Sequence, residues 1–331
     1  MYHIETSSKV FGGFELSCGI SIPLRLAYHW IVPEGRIRRR VLLCHGITSS
    51  HQAFLPDGEA PGCADAGWGN GFIGPGKALD PGQGDMVLCI NTLGSWFGST
   101  GAGDYLGRAF PAVTMGDMAL AQWQLVDRLG ITTFDQVIGY SFGGYLAVEM
   151  ACQRPHGLGA LLHLASGFRG RADPQGVAAI ESMIRMPPDE RKQAVTSWRR
   201  ALLERYGYVR WLQHQFGDGA AQRLDAEVAA WAATVSLEAL LTLRVAAAAF
   251  DRQDAKLPLP VIAMRWDGDV LFPPSQPGEM PACQTLICRS PYGHFAPLAQ
   301  PQDWTSYLVY RSGAANPIIG GLAGLCRTRE R

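Results

Sequence analysis

At 331 residues the chain is too long for one small domain and short for two full ones, which fits a single core carrying an insertion. Its 29 Lys and Arg are matched by 29 Asp and Glu, so there is no electrostatic case for a nucleic-acid or anionic-membrane partner, and a small-molecule partner is expected. A hydrophobic share of 47% with 18% charged residues excludes a disordered chain, while 39 Gly and 21 Pro without an internal repeat point to many tight loops.

The N-terminus has no basic segment followed by an apolar run, so a secretory signal is not supported and a cytoplasmic setting is expected. No apolar stretch is long enough to cross a bilayer, since Arg244 interrupts 237–250 and Pro317 interrupts the C-terminal tail. The 8 cysteines include no C-x-x-C pair and read as reduced and structural.

The first predicted strand is the apolar run 41–44, preceded by Arg36, Arg38, Arg39 and Arg40, which read as a solvated turn. Strands follow at 86–90, 137–139 and 160–165; their continuous apolar character suggests parallel strands covered on both faces. Between the second and third lies a helix over 117–129, with Met118, Ala121, Leu125 and Leu129 on one face, a capping box at Thr114 and Asp117, and a stop at Gly130. A second helix follows Ser141 and cannot pass Pro155. Alternating strand and helix predict an α/β fold with right-handed crossovers. From 167 to 256 the texture becomes Ala/Leu-rich and helical, with Trp198, Trp211 and Trp231, and reads as an inserted helical cap. Strands then return at 261–264 and 285–288, so 1–166 and 257–331 form the predicted core.

The chemistry concentrates in Val137-Ile138-Gly139-Tyr140-Ser141-Phe142-Gly143-Gly144, where an apolar strand runs through G-x-S-x-G into a helix. This is a nucleophile-elbow pattern. A serine hydroxyl needs a base to take its proton and an acid to orient that base. His294, in a Gly-containing loop after the last strand, is the candidate base; the other histidines read as packing or surface groups. Asp269, after the 261–264 strand, is the candidate acid, with Asp267 its rival, better suited to turn stabilisation. The backbone N–H groups of Phe142 and of Ile47, in the His45-Gly46-Ile47-Thr48 loop, are the candidate oxyanion donors. His45 and His51 have no accompanying ligand cluster, so no metal is expected.

Several segments together resemble the homoserine O-acetyltransferase family: Cys44-His45-Gly46-Ile47-Thr48, Asn91-Thr92-Leu93-Gly94 with Phe97-Gly98-Ser99-Thr100-Gly101, the run 111–131, the elbow, Asp269-Val270-Leu271-Phe272-Pro273 and Tyr292-Gly293-His294. The resemblance implies an α/β-hydrolase fold, a mostly parallel sheet with helices on both faces and an inserted cap. It places Ser141, Asp269 and His294 at the family's triad positions. It also implies acetyl-CoA or another acyl-CoA as co-substrate rather than a resident cofactor, small-molecule acyl donor and acceptor, and a homodimer. Two features depart from the family pattern. Phe295 stands where the family has the aspartate of G-H-D, and the cap lacks D-P-x-W-x-x-G-x-Y. The acceptor is therefore expected to differ from L-homoserine.

Tyr140, Phe295 and Arg169 are the candidate substrate contacts, with Arg169 and Arg171 placed to meet a CoA phosphate or to lie as solvated hinge groups. Acyl transfer by a ping-pong route leads; hydrolysis by the same triad as an esterase, thioesterase or amidase is the alternative. A binding protein without catalysis is the weakest reading.

Overall fold

The computed structural model describes residues 1–57, 66–105, 109–274 and 283–308. Six apolar runs become strands β3 (Arg39–Cys44), β4 (Asp85–Ile90), β5 (Gln136–Tyr140), β6 (Leu161–Leu164), β7 (Val261–Trp266) and β8 (Cys283–Cys288), all paired in parallel. Both faces of their sheet are covered, which is why their sequences do not alternate: Leu42, Leu88 and Val137 pack into one core and Leu43, Val87 and Ile138 into the other. Helix α1 (Met115–Arg128) opens with the predicted capping box, Thr114 Oγ1 accepting from Asp117 N at 3.1 Å and Asp117 Oδ2 accepting from Thr114 N at 2.8 Å. Gly130 follows its end with φ 70°. Helix α2 (Phe142–Gln153) is buried along almost its whole length and stops before Pro155.

Two strands were not anticipated. β1 (Tyr2–Glu15) and β2 (Ser21–Pro33) form an antiparallel hairpin that extends the sheet through β2–β4, giving the order β1-β2-β4-β3-β5-β6-β7-β8. The basic run before β3 also differs from its reading as a solvated turn. Arg36 and Arg38 are exposed, but Arg39 is 1% exposed and forks onto Asp85 at 2.9 and 2.6 Å. A guanidinium can be buried there because the first residue of β4 supplies a two-oxygen partner for its planar donors.

Between β6 and β7 the chain forms α3 (Pro174–Arg185), α4 (Pro188–Arg205), α5 (Tyr208–Phe216), α6 (Ala220–Thr234) and α7 (Leu237–Ala248). They hold small cores of their own, one around Ile180, Trp231 and Leu240 and another around Leu212 and Val228. Among the described residues no single helix is long and apolar enough to cross a membrane. The parallel order puts the loops after β3, β5, β7 and β8 at one edge of the sheet, where open α/β sheets bind ligands.

Candidate active site

The turn from β5 to α2 holds Ser141 at φ 56° and ψ −122°, a positive-φ conformation costly for a residue with a Cβ. Its neighbours make the turn possible. A Cβ on residue 139 would lie 2.4 Å from the Gly143 carbonyl oxygen, and one on residue 143 would lie 1.9 Å from that of Cys44. Only glycine fits at either place, so the two glycines of G-x-S-x-G are required by backbone contact with each other and with β3.

Ser141 Oγ lies 2.9 Å from His294 Nε2, and His294 Nδ1 lies 2.9 Å from Asp269 Oδ2. A carboxylate accepts only, so the imidazole carries its proton on Nδ1 and offers Nε2 to the serine hydroxyl. Asp269 and His294 are 1% and 3% exposed. The other Asp269 oxygen accepts from the backbone N–H groups of Leu271 and Phe272 at 2.7 and 3.1 Å. Burial pushes this carboxyl group upward, but the His294 charge, its hydrogen bond and the two backbone donors outweigh burial and hold it below the usual carboxylate value. The rival Asp267 turns away from the histidine and accepts from Ser290 N at 3.1 Å, tying the loop after β7 to the loop after β8.

A lowered folded-state value means that the stability Asp269 contributes is present above the ordinary carboxylate range and is lost as pH falls through the folded value. In chemical denaturation, Asp269→Asn is therefore expected to be less stable than the unsubstituted protein at pH 7, with the gap closing as pH falls below about 4. A gap independent of pH would contradict this.

The imidazole is held between rings. Tyr140 and Phe272 lie near-parallel to it at 5.4 and 5.6 Å, and Tyr206 meets it edge-on at 5.4 Å. Tyr140 also donates its hydroxyl to the His294 carbonyl oxygen at 2.9 Å, so this expected substrate contact positions the histidine as well as lining the site.

Ser141 and His294 open into a cavity of about 810 Å³. His294 is the only histidine among its described lining residues. Phe142 is the first residue of α2, so its N–H has no acceptor within the helix. Ile47 lies in a turn closed by Ser49 N and Gly46 O at 3.0 Å, and both Ile47 and Phe142 line the cavity. Buried His45 braces that loop, with Nδ1 2.9 Å from the Gly46 carbonyl oxygen; burial lowers its pKa to about 4 and keeps it neutral. Among the described residues no group of three or more His, Cys, Asp or Glu side chains is arranged to hold a metal ion.

The helices between β6 and β7 supply the remaining wall. Phe295 lines it with its ring 4.7 Å from Tyr208 and 5.2 Å from Trp211. Arg199 donates to Thr48 Oγ1 at 3.2 Å and lies over Trp231 at 4.5 Å. Arg169 is not in the lining. Its exposed guanidinium faces Asp251 at 3.6 Å, while Arg171 reaches the cavity over the Phe272 ring at 5.9 Å. Residues 169 and 251 are joined by an isolated antiparallel bridge.

Tyr206 belongs to no motif in the sequence, yet it reaches the site. Its carbonyl oxygen accepts from Phe295 N at 3.0 Å, so the α4–α5 turn rests directly on the histidine loop. Gly207 permits this approach with φ 86°, because a Cβ there would lie 2.2 Å from the Tyr292 carbonyl oxygen. The glycine between two tyrosines was the one local signal.

Fold and site together define an enzyme built on a mostly parallel α/β sheet, and the family described as alpha/beta hydrolase fold matches residues 39–298; the chain belongs to that family. Within it, the resemblance carried by the motifs extends over most of the chain. The homoserine O-acetyltransferase of Trichormus variabilis is 28% identical, the match covering 89% of this chain and 88% of that protein. Among solved structures, homoserine O-acetyltransferase from Bacillus anthracis superposes with a TM-score of 0.73 at 16% identity, covering 92% of this chain and 96% of that one. Esterase E22 superposes equally well, with a TM-score of 0.73 at 16% identity and coverage of 92% and 98%.

Proposed function

We propose that the protein forms an acyl-Ser141 intermediate from an acyl-CoA thioester, acetyl-CoA in the simplest case, and passes the acyl group to a hydroxyl of a small molecule other than L-homoserine. His294 Nε2 takes the Ser141 proton as Oγ attacks the thioester carbonyl, and the oxyanion is met by the N–H groups of Phe142 and Ile47. CoA leaves as a thiol with the proton from His294. The acceptor hydroxyl then gives its proton to the same nitrogen and attacks the acyl carbon, and Ser141 is reprotonated as the ester departs. Asp269 steadies the imidazole through both halves. The observation that carries this reading is the unbroken path Asp269–His294–Ser141, with both links at 2.9 Å, ending at the cavity. Relatives that are homoserine O-acetyltransferases support transfer.

On this reading residues 167–256 act as a cap over a core of 1–166 and 257–331, and the cap excludes water that would compete for the acyl group. A cytoplasmic setting belongs to the same proposal, supported by cysteines that are free thiols among the described residues. Hydrolysis is the second reading, favoured by Phe295: without a carboxylate at that place an amino-acid acceptor loses its ammonium partner, and water remains as acceptor. With acetyl-CoA alone, transfer predicts a burst of about one CoA per chain, an acetylated intact mass, and discharge accelerated by added alcohols. Steady CoA release that alcohols do not alter would favour hydrolysis, and no CoA release would contradict the thioester donor.

A further inference from the structure

We infer that the hydroxyl-bearing partner of the reaction is a molecule with an aromatic or similarly flat apolar body and no ammonium group, seated against Phe295, Trp211, Tyr208 and Tyr206. The inference rests on the proposed acyl-Ser141 chemistry and names the substrate class of that site. An accepting hydroxyl must come within about 2.6–3.2 Å of His294 Nε2, so the carbon skeleton behind it occupies the part of the cavity beside the imidazole. Rings dominate that part. Tyr206 stands edge-on to His294, and beyond it Tyr208 and Trp211 stack at 5.5 Å with Phe295 against both. All four line the cavity and all four are only half-buried, so apolar ring surface stays open there for a ligand to cover.

The acidic groups of the same wall are engaged. Glu227 accepts from the Tyr208 hydroxyl and from Arg223 at 3.0 Å, and Asp173 pairs with Arg244 at 3.0 Å. An ammonium group entering this space would lose its hydration and find both carboxylates already partnered, whereas a neutral ring loses little.

Ester cleavage and ester formation pass through the same arrangement in opposite directions, so acetyl esters report on the acceptor's place whether water or an alcohol completes the cycle. The test compares kcat/KM for 2-phenylethyl acetate, butyl acetate and O-acetyl-L-homoserine; the first two have leaving alcohols of similar basicity, which isolates binding of the ring. The expected result is a preference for 2-phenylethyl over butyl acetate of about 10-fold or more, with O-acetyl-L-homoserine below both. In Trp211→Ala that preference is expected to shrink toward one, chiefly through KM for the aromatic ester. Phe295→Leu serves as a second variant, and circular dichroism establishes that each is folded. Equal rates for the aromatic and butyl esters, preference for the homoserine ester, or an undiminished aromatic preference in both folded variants would overturn the inference while leaving acyl-Ser141 chemistry intact. Failure to cleave any of the three would instead contradict the acyl-Ser141 reading, and the inference with it.

Discussion

Ser141→Ala is expected to lower kcat by about 10⁴-fold or more, His294→Ala by a comparable factor, and the double variant by no more than the worse single one. The reason is the shared proton. Ser141 Oγ and His294 Nε2 are 2.9 Å apart, and the oxygen becomes a strong nucleophile only while the nitrogen accepts its hydrogen, so deleting either end removes the same step. What survives is the contribution of backbone oxyanion donors and of substrate positioning, which neither substitution touches. Steady-state kinetics on the three variants, each checked for an unchanged melting transition, measure this. Losses that multiply in the double variant would mean that the two groups act separately.

Gly143→Ala is expected to destabilise the fold by about 3 kcal/mol or more and to cost at least about 100-fold in kcat. Its Cβ would stand 1.9 Å from the Cys44 carbonyl oxygen and 2.7 Å from that of His45. Both contacts are to backbone, so relief requires either α2 or the end of β3 to move. The first shifts Ser141 against His294, and the second shifts the turn carrying Ile47. Gly12→Ala supplies the contrast: residue 12 has open space around its Cβ position and no positive φ, and the change is expected to fall within about 0.5 kcal/mol. Urea denaturation midpoints beside kcat for the two variants decide the matter; equal stability would show that the elbow tolerates a side chain.

The strands and helices around the elbow were legible because parallel strands buried on both faces leave continuous apolar runs and because caps such as Thr114–Asp117 are local. The hairpin was not. β1 alternates burial along an edge, with Ser7, Ser8 and Lys9 in its middle and a register shift between Phe11 and Gly13, so no apolar block marks it. Arg39 was misread because its partner Asp85 lies 46 positions away, beyond any local pattern. Ser141, Asp269 and His294 could be picked out together because the order of strands carries their loops to one edge of the sheet. Tyr206 could not, since its approach to the histidine depends on how α4 and α5 dock. Arg169 and Arg171 look alike in the sequence, and only the folded chain separates them, Arg169 facing Asp251 and Arg171 lying over the Phe272 ring.

The central claim is that the hydroxyl of Ser141 is made nucleophilic by His294, which Asp269 orients. Its most direct test is labelling with a fluorophosphonate followed by peptide mass mapping. The expected result is one adduct per chain, located on Ser141, with a rate that falls by orders of magnitude in His294→Ala. Adduct on another residue, or labelling of Ser141 at the same rate without the imidazole, would contradict it.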